Sequence, residues 1–262
     1  MLTINESIKG DFNLEKKILQ QINEGLDKKG CYNSLWFSTI GIWVYEYFIN
    51  HNINLTKQRL YLLGRLAEVL VTQCNSDYLN YSLNHTFPVI LSDNEALIQR
   101  YAKLRYTKSA HYPFDMEEQL LIGNGVFCNT VQHFMVNNKD GIEKNLNIIE
   151  TKVINKKKNA VLIHDYDFYK ALYEGNMPKM EEVIHRFSKG QLHKNRQYNQ
   201  LLGKYVAPCA LGYAKLAWRL GYKVETNSPL IPKELLPIEP IKQYDEVYDF
   251  LKEDYQNILA NE

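Results

Sequence analysis

The adjacent pair His164-Asp165 is the place in this 262-residue chain where residue types come nearest to a metal site. All-α phosphohydrolases hold a metal beside a phosphate with an upstream His, a His-Asp pair and a later Asp. Here His133 lies upstream and Asp245 or Asp249 downstream, so a metal-dependent phosphohydrolase set can be assembled on paper. Asp165 is equally well placed to cap a helix by accepting a backbone N–H, and a frayed helix start is a poor platform for a ligand. The reading preferred is structural, with no metal, no cofactor and no catalytic residue. The other histidines (His51, His85, His111, His185 and His193) are scattered. The cysteines, Cys31, Cys74, Cys128 and Cys209, form no C-x-x-C pair and read as reduced, mostly buried thiols.

The commoner hydrolase and nucleotide motifs are absent: no G-x-S-x-G, no Walker-type loop, no H-E-x-x-H and no G-x-G-x-x-G after a strand. Hydrophobic residues at 45% and charged residues at 23% describe an ordinary globular chain. A net charge of +1 provides no global field to recruit nucleic acid or an acidic membrane. The segment Met1 to Lys17, with Glu6, Asp11 and Glu15, resembles neither a signal nor a transit peptide, which predicts a cytoplasmic protein. The most apolar stretch, Leu35 to Ile49, is interrupted by Glu46 and reads as a buried helix.

The elements that must carry these residues are helical almost throughout, so the fold class is all α: antiparallel hairpins packed as one extended domain. Leu14, Ile18, Ile22 and Leu26 stripe a first helix that Gly30 ends, and a second follows from Ser34 to Asn50. Thr56 caps a third, with Leu60, Leu63, Ala67, Leu70 and Val71 on its buried face. Ser92 to Glu95 is a capping-box pattern opening a helix to Tyr106, and Asp115 to Glu118 opens another to Asn137, weakened at Gly123 and Gly125. A helix over Ile142 to Ile154 precedes the solvated turn at Lys156-Lys157-Lys158-Asn159, which separates an amino-terminal half, 1–155, from a carboxyl-terminal region, 164–262, of one continuous domain. Asp165 then caps a helix through Tyr173, Gly175 takes its left-handed end, Pro178 opens the next helix, and Pro208 divides Leu201 to Leu220. Four prolines between Ser228 and Pro240 predict an extended strap across apolar grooves, feeding a last helix from Asp245 to Leu259.

Charge is unevenly placed. No acidic residue occurs from Val183 to Val224, whereas from Glu225 onward nine acids face three lysines. The plain expectation is that the acidic tail packs over the basic segment and neutralises it. On the last helix Val247, Tyr248, Leu251, Tyr255 and Ile258 are expected to face the core. That leaves Glu246, Asp249 and Glu253 outside at i, i+3 and i+7, a negative ridge for a partner.

Three runs carry a resemblance: Ala171 to Asn176 (A-L-Y-E-G-N), Ala214 to Gly221 (A-K-L-A-W-R-L-G) and Ser228 to Pro237 (S-P-L-I-P-K-E-L-L-P). With Tyr244 and Tyr248 to Leu251, the stretch from Asp165 to Leu251 resembles the immunity protein 49 family. The chain departs from that pattern at Asn227, where an acidic residue is expected. The resemblance implies a non-enzymatic bacterial immunity protein of a polymorphic toxin system, which binds and occludes a cognate toxin. The acidic ridge would suit a basic partner such as a nuclease. A helical scaffold that joins other host proteins shares the same sequence features.

Overall fold

The computed structural model describes residues 3–109 and 112–261, without the side chains of 260 and 261; His111 and Glu262 lie outside it. Among the described residues there are thirteen α-helices and no strand, an all-α fold. Thr3 and Glu6 form a reciprocal capping box that starts α1 (Ile4–Asn23). Gly30 does not end this helix. The chain turns at Gly25, with φ of 78°, and Asp27 accepts from the N–H groups of Lys29 and Gly30 to open α2 (Lys28–Phe48). Gly30 therefore lies in a first turn, and Leu14 and Leu26 of the expected stripe are exposed.

α2 and α3 (Ile53–Thr72) are buried along most of their length and form the middle of the molecule. Asn52, not Thr56, caps α3; the Thr56 hydroxyl instead donates to the Asn52 carbonyl. α4 (Leu83–Leu91) ends at Ser92, whose hydroxyl donates back to Val89. Asp93 turns the chain left-handed with φ of 62°, and Asn94 caps α5 (Glu95–Ala102). The expected cap at Ser92 thus moves two residues on, because the turn at Asp93 separates Ser92 from the helix that follows.

Asp115 and Glu118 form the expected capping box on α6 (Met116–Leu121). Gly123 and Gly125, both at positive φ, then break the chain completely and α7 (Val126–Met135) starts anew. α8 (Lys139–Ile148) runs on as a π-helical turn to Ile154, followed by a 3₁₀ segment, Lys157–Leu162. α9 (Ile163–Glu174) ends at left-handed Gly175, and α10 (Met177–Phe187) has Pro178 in its first turn. α11 (Gly190–Arg196), a short helix the periodicity does not announce, precedes α12 (Pro208–Arg219), which Pro208 opens. The strap is extended apart from one 3₁₀ turn, Lys233–Leu235, and α13 (Asp249–Asn261) closes the chain.

α1 packs on α2, α2 on α3, α3 on α4, and α4 in turn on α7 and α12, while α9, α10 and α12 pack together. One hydrophobic cluster reaches from Ile4 to Leu251. At Gly212 an added Cβ would stand 2.2 Å from the Phe87 ring, so only glycine lets α12 lie flush on α4. No helix among the described residues is long and apolar enough to cross a membrane.

Candidate functional site

The phosphohydrolase set does not assemble. Asp165 is the third residue of α9 rather than its cap, and it is fully buried. One carboxylate oxygen accepts from the Arg196 guanidinium at 2.7 Å and the other from the Tyr213 hydroxyl. Burial pushes this carboxyl up, against the pull of Arg196. His164 sets its ring edge against Phe187, His133 packs on Gly141, and Gln58 holds both backbone groups of Asp245. No group of three or more His, Cys, Asp or Glu among the described residues is arranged to hold a metal.

The acidic ridge is divided. α13 begins at Asp249 rather than Asp245, and Glu246 lies before it with its side chain turned inward. Its carboxylate accepts from Arg65 Nε at 2.9 Å and from the Tyr61 hydroxyl. Arg65 is wholly buried in α3 and also pairs with Glu68 and, at 2.7 Å, with Asp254, while Arg100 reaches Glu68 at 2.8 Å. Burial opposes the Arg65 charge, but Glu68 and Glu246 more than offset this and hold its pKa above the ordinary value. With Glu246 drawn in, Val247 is turned out to 46% exposure instead of facing the core, while Tyr248 and Leu251 are buried as the helical phase predicts. Asp249 and Glu253 stand exposed on α13, Asp249 paired with Lys252 at 2.8 Å. The sequence did hold a signal for Glu246: α3 carries three cations, Lys57, Arg59 and Arg65, against one carboxylate, Glu68, so buried cations there must draw carboxylates from other elements.

Among the described residues, three cations of the basic segment pair with upstream acids and not with the acidic tail: Lys215 with Asp93 at 2.6 Å, Arg219 with Glu95 at 2.5 Å, and Arg196 with Asp165. Asp93 is the centre of this arrangement. Its second oxygen takes Lys57 at 2.9 Å and the Glu239 N–H at 3.2 Å. Lys215 Nζ donates to the carbonyls of Leu235 and Pro237 at 2.9 and 2.8 Å, and Lys57 donates to that of Glu239. A strap with few backbone partners of its own is thus held by two buried ammonium groups. Burial, opposed by Asp93, lowers the Lys215 pKa to about 8.

These bonds join the recognisable runs to one another, since Lys215 belongs to A-K-L-A-W and Leu235 and Pro237 to the proline-rich run. The family model of immunity protein 49 matches residues 41–235. The chain belongs to the immunity protein 49 family. The match extends far upstream of the motif-bearing stretch, taking in α3 and Asp93, and it stops before Glu239, Glu246 and α13. No curated protein and no solved structure matches the chain. Within the family's span lie Lys57, Arg65, Asp93 and Lys215; the carboxylates that Arg65 draws from Glu246 and Asp254 come from beyond it.

Proposed function

We propose that the chain is an immunity protein that neutralises a cognate toxin in the bacterial cytoplasm by direct, stoichiometric binding, occluding the toxin's active site. Membership of the immunity protein 49 family carries this reading. The commitment of Asp165 to Arg196 and Tyr213 favours binding over hydrolysis, because it spends the central carboxylate of the metal set on holding α9, α11 and α12 together. The proposal includes no catalytic residue and no cofactor.

Such a complex should bury about 1,600 Å² in total. In this reading Asp249 and Glu253 steer a basic toxin surface, of the kind a nuclease presents, and Glu246 positions their helix from within. The test is co-expression of the chain with the carboxyl-terminal part of the protein encoded immediately upstream, in a sensitive host. Survival only when both are present, with the two co-purifying, is the expected result. Toxicity that the chain does not relieve would refute the pairing.

A further inference from the structure

α2 and α3 meet at a sharp corner. His51 turns the chain left-handed there, with φ of 50°, and Asn52 caps α3 directly after it. The turn leaves Ile49 and Ile53 exposed and Tyr47 and Phe48 only partly buried. Tyr47, Phe48, His51 and Ile53 wall a cavity of about 320 Å³, and the strap completes it with Glu234.

The strap holds Glu234 in place. Its 3₁₀ turn, Lys233–Leu235, is closed by backbone bonds from Leu235 to Pro232 and from Leu236 to Lys233. Leu235 is buried and its carbonyl takes Lys215 Nζ at 2.9 Å, so the backbone that carries Glu234 is fixed. The carboxylate accepts from the Tyr47 hydroxyl, and that bond, with one from its own backbone N–H, holds the carboxyl below the ordinary range. Among the described residues no cation pairs with it; Lys233 acts on it only at a distance. An ionised carboxylate thus stands pre-positioned at an aromatic and aliphatic cavity, without a counter-ion.

We propose that this cavity anchors a long basic side chain of the toxin, lysine or arginine, with its stem on Tyr47, Phe48 and Ile53 and its charge at Glu234. The inference rests on the immunity reading above. The volume lies at the bottom of the roughly 300–1,000 Å³ range of small-molecule sites and suits one long side chain. Glu234 is the one carboxylate of the wall, no Lys or Arg lines it, and His51 is the other ionisable neighbour outside the tyrosine. An Asp or Glu entering would meet a like charge, and a wholly apolar side chain would desolvate Glu234 and leave it unpaired. A basic side chain satisfies both surfaces, because its methylenes bury on apolar walls while its head stays at the charged edge. A cation over the Tyr47 or Phe48 ring gains a further attraction. All five lining residues fall within 41–235, the span of the family model, whereas Asp249 and Glu253 lie beyond it.

The test uses the full chain. n-Butylammonium and propylguanidinium, the lysine and arginine side chains as free molecules, are titrated while the Tyr47 and Phe48 ring resonances are followed, with butyrate and butanol as controls. The cognate toxin is then titrated into wild type and Glu234→Gln, which keeps an acceptor for Tyr47 and removes the charge. The expected result is a saturable shift with at least one of the two cations, weaker at high salt, lost in Glu234→Gln and matched by neither control. Glu234→Gln should bind toxin about 30-fold more weakly, the scale of a desolvated charge pair that loses one partner, with an unchanged Tm. No shift with either cation, equal binding of butyrate or butanol, or a Glu234→Gln variant that binds toxin as tightly as wild type would overturn the anchor. Failure of the wild-type chain to bind the toxin at all would refute the immunity reading instead; the titration with the two cations, which needs no toxin, would still decide the cavity.

Discussion

The charge cluster under the strap and the charge cluster under α13 use the same chemistry and differ in how far they are sealed from water. Under the strap, Asp93, Lys57 and Lys215 are all buried, and the two lysines donate to three strap carbonyls. Under α13, Arg65 is as deeply buried, but the Asp254 and Glu246 side chains keep 14% and 9% exposure. A sealed ion pair is costly to break because the surviving charge has no route to water, whereas a carboxylate at the rim can swing out and be solvated. The first arrangement therefore fixes the backbone of the strap, and the second attaches a helix that lies outside the family's matched span.

The largest effect should come from Asp93→Ala, which leaves Lys57 and Lys215 buried without their carboxylate. A loss of about 3–5 kcal/mol in denaturant-derived stability is expected. Arg65→Met should cost less, about 1–3 kcal/mol, because Glu246 and Asp254 can turn outward and Glu68 keeps Arg100. Hydrogen exchange separates the two: Arg65→Met should raise exchange in 246–259 and leave 230–237 protected. Equal loosening of both stretches would erase the distinction between the clusters.

A smaller effect follows from pH, because the strap cluster contains a group that titrates and Arg65 does not in the accessible range. With its folded pKa at about 8, below the ordinary lysine value, Lys215 is deprotonated in the folded chain over a window where the unfolded chain still holds the proton. The burial cost is therefore fully present below pH 8 and is relieved as pH rises from 8 toward 10. Measured as the difference between wild type and Lys215→Met, so that the buried tyrosines cancel, stability should improve by about 1–2 kcal/mol across that window. A flat difference would mean that Lys215 keeps its proton throughout. The smallest effect concerns function: Asp249→Lys with Glu253→Lys should slow toxin association a few-fold at low salt and converge with wild type at high salt. No change in either would remove α13 from the encounter surface.

The all-α class, the helical hairpin around Gly175 and Pro178, the start at Pro208 and the strap were legible because each rests on local chemistry: a fixed φ, a missing N–H or a left-handed end. The errors at Gly30 and Thr56 are local, a rival cap a few residues away, whereas those at Ser92 and Glu246 share a long-range cause. Ser92 and Asn94 are both competent caps, and the choice turns on Asp93, held in a left-handed turn by lysines 36 and 122 residues away in sequence. Glu246 has the phase of an exposed position only if the helix begins at Asp245, and Arg65, distant in sequence, sets where the side chain goes. Periodicity reports which face of an element is apolar; it does not report which buried charge on one element awaits a carboxylate from another.

The most direct test of neutralisation by binding is a titration of toxin activity with purified chain at fixed toxin concentration, read at several times after mixing. Activity should fall linearly to zero at one chain per toxin, at an endpoint that does not depend on time. Loss of activity at substoichiometric chain that deepens with time would contradict binding and identify the chain as a catalyst acting on the toxin or its product.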